Sequence, residues 1–435
     1  MNAHTKHLQR GEQRGPVVVF NVKYSENLGD GLIAEAIEAG LAEHCDREIV
    51  TLDVAGRTAY GEESVRNKSF KLAVLDRMPD AVTRGLSKMA VSSIVSKQLS
   101  TWRSAISQAE HVVIGGGHLF QDDNLNFPQK IGAVLDLCAQ EDVPVSIYAV
   151  GVTSGWSPEA QELFGRLVEC NVASVSVRDA RSQKNWAGHF AGTFLERADV
   201  RFDPVLSGMR APRSSGKRRI GLGIIHPRCI ARHSAVNTEE FMNHYSQITA
   251  HLLAQGYDVG LFTNGAREDA EALDQIAQQA EFSQSISEGR LVAHNRPETP
   301  KALTDILNGF DCVVAHRLHA CIGAYTAGIP SVGLGWDAKL ESFFRLTGRS
   351  DCFLPAGRVN TIDVVDCVGR ALGQGLDQSI RDEVARSARQ GLEKLGSIVC
   401  GARQKDARQD DGRLARPGTQ DGNELEDSGK VGFHG

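Results

Sequence analysis

Arg317, His319 and Lys339 are the residues of this 435-residue chain whose types and spacing most invite chemistry. They lie between Asp311 and Phe344, in DCVVAHRLHACIGAYTAGIPSVGLGWDAKLESFF, together with His316. A short apolar run, Cys312 to Ala315, leads straight into His316, Arg317 and His319. A small-residue helical pattern follows from Ala320 to Ala327, and Gly328 stops it. A second apolar run, Ile329 to Leu334, leads to Gly335 and Lys339. The order reads strand, helix, strand, helix, with Arg317 and His319 at the first strand-to-helix junction. Such junctions expose helix N-terminal N–H groups and bind anions in parallel α/β sheets. Arginine forks match phosphate and carboxylate groups, and each charge-assisted bond contributes about 1.5–3 kcal/mol. A histidine in the same turn adds a titratable proton donor.

The first half of the chain offers a different chemistry. Pro16 to Val22 reads as a strand, and Ser25 to Gly31 as a turn containing Asn27, Leu28, Gly29 and Asp30. Asp30 is expected to cap a helix from Leu32 to His44. The turn is not GxGxxG, so no dinucleotide fingerprint is present. His111 to Gly117 is a strand that runs into Gly115, Gly116 and Gly117, followed by His118, Gln121, Asp122 and Asp123. Three glycines at a strand end cost backbone entropy and let a ligand approach the main chain. The first half therefore suits a hydroxyl-rich partner, with Asp30 or Asp122 available as a proton acceptor. The second half suits a small polyanion, through Arg228 or Arg232, His316, Arg317, His319 and Lys339.

The elements that position these residues repeat in two α/β halves. Strands are expected at Glu48–Val54, Val143–Gly151 and Val172–Val177, the last ending in Arg178 and Asp179. Residues 207–219 form a polar linker, and the pattern restarts with a strand at Ile220–Ile225 and the loop from His226 to His233. Further helices are expected at 238–255, 266–280 and 299–308, with strands at 257–262 and 291–293. Two helices close the pattern, 361–373 and 378–398, the first of them expected to pack back across the halves. The resulting layout is a lead-in (1–15), a first Rossmann-like domain (16–206), a linker (207–219), a second Rossmann-like domain (220–400) and a disordered tail (401–435).

Composition sets outer bounds. Net charge is −6, which argues against a general nucleic-acid binder. Nine cysteines are scattered with no CxxC spacing, so free reduced thiols of a cytoplasmic protein are expected, and neither a metal nor a cofactor is. The N-terminus lacks an apolar signal region, and no window is apolar enough to span a membrane. Residues 57–105 are locally basic and contain a helical pattern from Leu86 to Ile106 with Met89, Ile94, Leu99 and Trp102. That segment reads either as a packed helix or as peripheral contact with the inner membrane face.

The chain resembles the polysaccharide pyruvyl transferase family. The resemblance rests on Asn27-Leu28-Gly29-Asp30, Gly115-Gly116-Gly117, Ser176-Val177-Arg178-Asp179 with Ser182, Asp203-Pro204, Arg317-Leu318-His319-Ala320, Gly328-Ile329-Pro330 and Lys339, in that order over roughly residues 17–350. It implies two Rossmann-like domains with a cleft between them, the GT-B-like glycosyltransferase architecture. It implies transfer of a pyruvyl group from phosphoenolpyruvate to two hydroxyls of a sugar, in a polysaccharide or a lipid-linked glycan, with release of phosphate. Arg317, Leu318, His319 and Lys339 are then expected at the phosphoenolpyruvate site, with Arg228 as second arginine and Arg232 as its alternative. His319 is the expected proton donor and Asp30 its counterpart base, with Asn27, Gly29, the three glycines and Asp122 on the acceptor side. Two other readings stay open: a nucleotide-sugar glycosyltransferase, in which Glu341 would bind ribose, and a non-catalytic phospho-glycan-binding protein.

Overall fold

The computed structural model describes residues 15–61, 80–211, 218–231, 237–336, 338–356 and 359–401. The expectations for the lead-in up to Arg14, the linker centre, Arg232, His233 and the tail beyond Gly401 lie outside these residues. The first half contains β1 (Val17–Asn21), α1 (Leu28–His44), β2 (Ile49–Asp53), α2 (Asp80–Gln108), β3 (His111–Gly115), α3 (Asn126–Glu141), β4 (Val145–Val150), α4 (Pro158–Gly165), β5 (Val172–Val177), α5 (Ala180–His189) and β6 (Asp199–Val200). The second contains β7 (Arg219–Gly223), α6 (Pro227–Ala231), α7 (Thr238–Ala254), β8 (Asp258–Phe262), α8 (Arg267–Ala277), α9 (Ser283–Ser287), β9 (Leu291–Ala293), α10 (Pro300–Leu307), β10 (Cys312–Ala315), α11 (Leu318–Thr326), β11 (Ser331–Leu334), α12 (Ala338–Leu346), β12 (Phe353–Leu354), α13 (Thr361–Gln374) and α14 (Gln378–Val399).

Each half builds one six-stranded sheet, ordered β2-β1-β3-β4-β5-β6 and β12-β11-β10-β7-β8-β9. All pairings are parallel. Strands buried on both faces read as continuous apolar runs, as in β1 (VVVFN), β3 and β4, every residue of which is buried. Both sheets reverse their strand order next to the first strand of the half. Ligand loops of open α/β sheets gather at such reversals.

The long C-terminal helix joins the two cores. Val384 and Ala388 of α14 pack in the second core. Leu392, Leu395 and Val399 pack with Val17, Val19, Ile37 and Val113 on the first sheet. At 1.5 Å per residue a helix of this length spans roughly 33 Å, enough to reach from one core to the other. The expectation that 361–373 crosses back is therefore corrected. The apolar face of α13, Val364, Cys367 and Val368, is used up on the second core. In α2, Trp102 and Ile106 enter the first core, whereas Met89 is 72% exposed. No helix of the described residues is long and apolar enough to cross a membrane.

A disulfide corrects the expectation of nine free thiols. Cys45, just after α1, is bonded to Cys400, just after α14, across a sequence separation of 355. The bond clasps the end of the bridging helix onto the first half. Unfolded without reductant, the protein is expected to titrate seven thiols rather than nine. Cys400→Ser is expected to lower unfolding stability by about 2–4 kcal/mol, read as a lower denaturant midpoint.

Candidate active site

The two halves meet at the start of α1. The Leu28 N–H donates to the Asn264 carbonyl at the end of β8, at 2.8 Å. Asn27, not Asp30, stands at the N-cap position, and its side chain makes no cap hydrogen bond. The helix starts four residues earlier than the apolar pattern suggested, which moves Asp30 into its first turn. Among the described residues the Asn27 Oδ1 is buried without a partner. Gly29 allows the closest approach. A Cβ there would lie 2.6 Å from the ring of His319, so the imidazole rests on bare backbone.

His319 is in the first turn of α11 and is 8% exposed. Its Nε2 lies 3.2 Å from Asp203 Oδ2, in the segment that follows β6. Asp203 Oδ1 accepts the Val205 N–H at 3.1 Å. Burial pushes the Asp203 carboxyl up, but His319, the Val205 N–H and Arg178 together hold it below its ordinary value. With Nε2 directed at a carboxylate, Nδ1 is the ring nitrogen left facing Gly29.

Asp30 completes this centre. Burial raises its pKa, opposed by His319, a hydrogen bond from the Ser25 hydroxyl, Arg57 and Lys339. Its Oδ1 is 3.7 Å from the place a Cβ on Gly117 would occupy, so Gly117 opens towards it. The other two glycines serve packing. A Cβ on Gly116 would come within 2.0 Å of Ile33, and Gly115 packs against Tyr148 and Val113. Asp122, expected on the acceptor side, holds its own loop. Its Oδ1 accepts the Leu125 N–H at 3.0 Å and its Oδ2 the Ser157 N–H at 2.9 Å.

The arginine of the Arg-Leu-His segment points elsewhere. Arg317 Nη2 lies 2.7 Å from Asp269 Oδ2 and reaches Cys229 Sγ at 3.7 Å. Burial would lower its pKa, but Asp269 more than offsets this and the guanidinium stays charged. Asp269 is fully buried and also accepts the His226 N–H at 2.8 Å. Arg228 lies in α6 with an exposed side chain. His316 is a core residue. Its Nδ1 is 2.9 Å from the Tyr245 hydroxyl, and burial lowers its pKa to about 3. Leu318 and Lys339 line a cavity of about 520 Å³ together with Arg178, Arg181 and Asp203. Sequence reasoning did not pair Asp203 with His319, and it did not bring Arg57 to Asp30. Asp203-Pro204 stood out in the sequence, but no local signal says which residue it meets 116 positions away.

A family profile for polysaccharide pyruvyl transferase matches residues 27–338. The chain belongs to the polysaccharide pyruvyl transferase family. No curated protein sequence matches it. Similar solved structures include UDP-GlcNAc 2-epimerase from Methanocaldococcus jannaschii, 9% identical with a TM-score of 0.53, covering 88% of this chain and 99% of that one. The S. aureus MnaA–UDP co-structure is 11% identical with a TM-score of 0.51, covering 88% of this chain and 95% of that one. At such identity the likeness shows the fold alone, a two-domain α/β architecture of the GT-B class. Glu341, the residue that the glycosyltransferase reading would put on a ribose, is paired with Arg345 at 3.0 Å.

Two outcomes follow from the packing and the charge. Gly29→Ala is expected to displace His319, which the imidazole NMR resonances report as a shift while the far-UV spectrum stays unchanged. The folded-state pKa of Asp30 lies above 3.8, so its carboxylate costs stability. That cost is absent well below 3.8 and grows as pH rises through the raised value. Asp30→Asn is expected to raise the melting temperature at pH 7 and to lose this advantage near pH 3.

Proposed function

We propose that this protein transfers a pyruvyl group from phosphoenolpyruvate to two hydroxyls of one sugar, in a polysaccharide or its lipid-linked precursor, forming a pyruvate ketal and releasing phosphate. The observation that carries the reading is His319, fixed at the junction of the halves between Asp203 and the Gly29–Asp30 turn. This reaction needs an acid that protonates carbon, a base for a hydroxyl, and cations for a phosphate and a carboxylate. Family membership supports pyruvyl transfer, and His319, Asp30 and Lys339 are candidates for the acid, the base and one of the cations.

The chemistry balances without added water. His319 gives a proton to the methylene carbon of phosphoenolpyruvate, and the adjacent C2 becomes electrophilic. One sugar hydroxyl attacks C2 and passes its proton to Asp30. The C2–O bond to phosphate breaks, the second hydroxyl closes the ketal, and its proton leaves with phosphate. Asp30 then returns its proton to His319, so over a turnover one proton equivalent from the hydroxyls ends in the new methyl group and the other on phosphate. Asp203 keeps the imidazole oriented. Among the three cations first expected at the donor, Lys339 is on the Asp30 and His319 side. Arg317 is held by Asp269, and its contribution is to anchor the first turn of α11.

The test is incubation with phosphoenolpyruvate and a panel of galactosyl, mannosyl and glucosyl acceptors, following phosphate release and the mass gain of one ketal. His319→Gln is expected to lower kcat by about 10²–10⁴-fold, the usual range for a general acid. Asp203→Asn is expected to lower kcat with little change in KM for phosphoenolpyruvate. Release of a nucleoside diphosphate from a sugar nucleotide, with no phosphate from phosphoenolpyruvate, would refute the proposal.

A further inference from the structure

The two ends of α1 make different contacts. Its first turn backs His319 and bonds to Asn264, and its far end runs into Cys45. At 1.5 Å per residue the 17 residues of this helix span roughly 26 Å. Cys45 is bonded to Cys400, which follows α14, the helix that packs first in the second core and then on the first sheet. The disulfide therefore ties the helix that carries the active-site turn to the helix that bridges to the second half.

Apart from this bond, the end of α14 is held by close but narrow packing. Two glycines let the helices approach. A Cβ on Gly40 would lie 2.7 Å from Leu392, and one on Gly396 would lie 2.5 Å from His44. Leu392, Leu395 and Val399 are buried, and Lys394 pairs with Asp199 at 2.9 Å on the exposed surface. Beside them the packing stops. A cavity of about 330 Å³ is bordered by Ala36, Gly40, Glu43 and His44 of α1 and by Arg389 and Leu392 of α14. Side chains on the wall of a void lose dispersion contacts on that side, which leaves more of the docking of these turns to the covalent tie. Access also sets this sulfur pair apart. Cys400 is half-buried at a helix end, whereas every free cysteine except Cys229 is buried.

We infer that the Cys45–Cys400 disulfide is a reversible redox switch, opened by dithiols, that sets how firmly α14 holds the second half against the α1 turn behind His319. A thiolate of the dithiol attacks one sulfur, the Cys45–Cys400 bond breaks, and a mixed disulfide forms. The second thiol of the reagent then displaces the protein sulfur, and the reagent leaves as a disulfide. Its two electrons reduce the bond, and its two protons end on Cys45 and Cys400. Oxidised, the chain is tied in the docked arrangement. Reduced, it keeps the apolar contacts of Leu392, Leu395 and Val399 but loses the tie, so the last turns of α14 open more often. The switch acts through the docking of the halves and stands apart from the identity of the reaction.

The test is to equilibrate the full chain across a series of reduced and oxidised dithiothreitol mixtures. Free thiols, amide hydrogen exchange of residues 389–399 and phosphate release from phosphoenolpyruvate are followed together. Titrated thiols are expected to rise from seven to nine on reduction. Exchange of 389–399 is expected to quicken about tenfold or more with the same midpoint, turnover to fall in step, and all three to reverse on reoxidation. Cys45→Ser and Cys400→Ser are each expected to exchange like the reduced wild-type chain in every mixture, with an unchanged far-UV spectrum showing that the fold persists. Equal exchange of 389–399 in the two states overturns the inference, as does measurable turnover that ignores the redox state. So does a redox response that survives in Cys45→Ser, or a disulfide that does not re-form after reduction. If phosphoenolpyruvate is turned over in neither state while exchange still follows the thiols, the proposed reaction fails and the switch stands.

Discussion

The contact on which the rest of the structure depends is the pair formed by His319 and Asp203 across the two halves. An imidazole in the second half is held at 3.2 Å by a carboxylate in the first. A buried carboxylate is costly unless it is hydrogen-bonded. Asp203 meets that demand with one bond to the imidazole and one to the Val205 N–H. Each half alone would leave a polar group unsatisfied, so this pair favours the docked arrangement over separated halves.

Close approach is what makes the pair reachable. The imidazole can rest on the α1 turn only because residue 29 has no side chain, and the main chain of Leu28 bonds directly to Asn264. Behind this contact α14 runs from the second core to the first and is clasped there by Cys45 and Cys400. A single rigid helix in both cores limits how far the halves can move apart. The architecture therefore pre-organises the cleft, which is how enzymes lower the reorganisation needed during reaction.

The distribution of cations has a division of labour. Arg317 is buried against Asp269, and removing either partner would leave an uncompensated charge in the second half. It fixes the N-terminus of α11 and thereby the start of the turn that holds His319. Arg178 and Lys339 line the cavity between the halves. Arginines adjacent in function by sequence motif thus differ in what they touch.

Much of this protein was legible in one dimension. The apolar runs gave β1, β3, β4 and β10 nearly to the residue, because strands buried on both faces are predominantly apolar. The Arg-Leu-His junction and the Asn-Leu-Gly-Asp turn, both singled out in the sequence, meet where Gly29 backs His319. What only the tertiary structure decided were the partners. Asp203 meets His319, Arg317 turns to Asp269, Asp122 and His316 become structural, and Cys45 finds Cys400, all through contacts between residues far apart in the chain. Local pattern encodes burial and backbone conformation, which depend on near neighbours. The direction of a long side chain and the identity of its partner depend on how whole elements pack, and that is settled only when the two sheets and α14 come together.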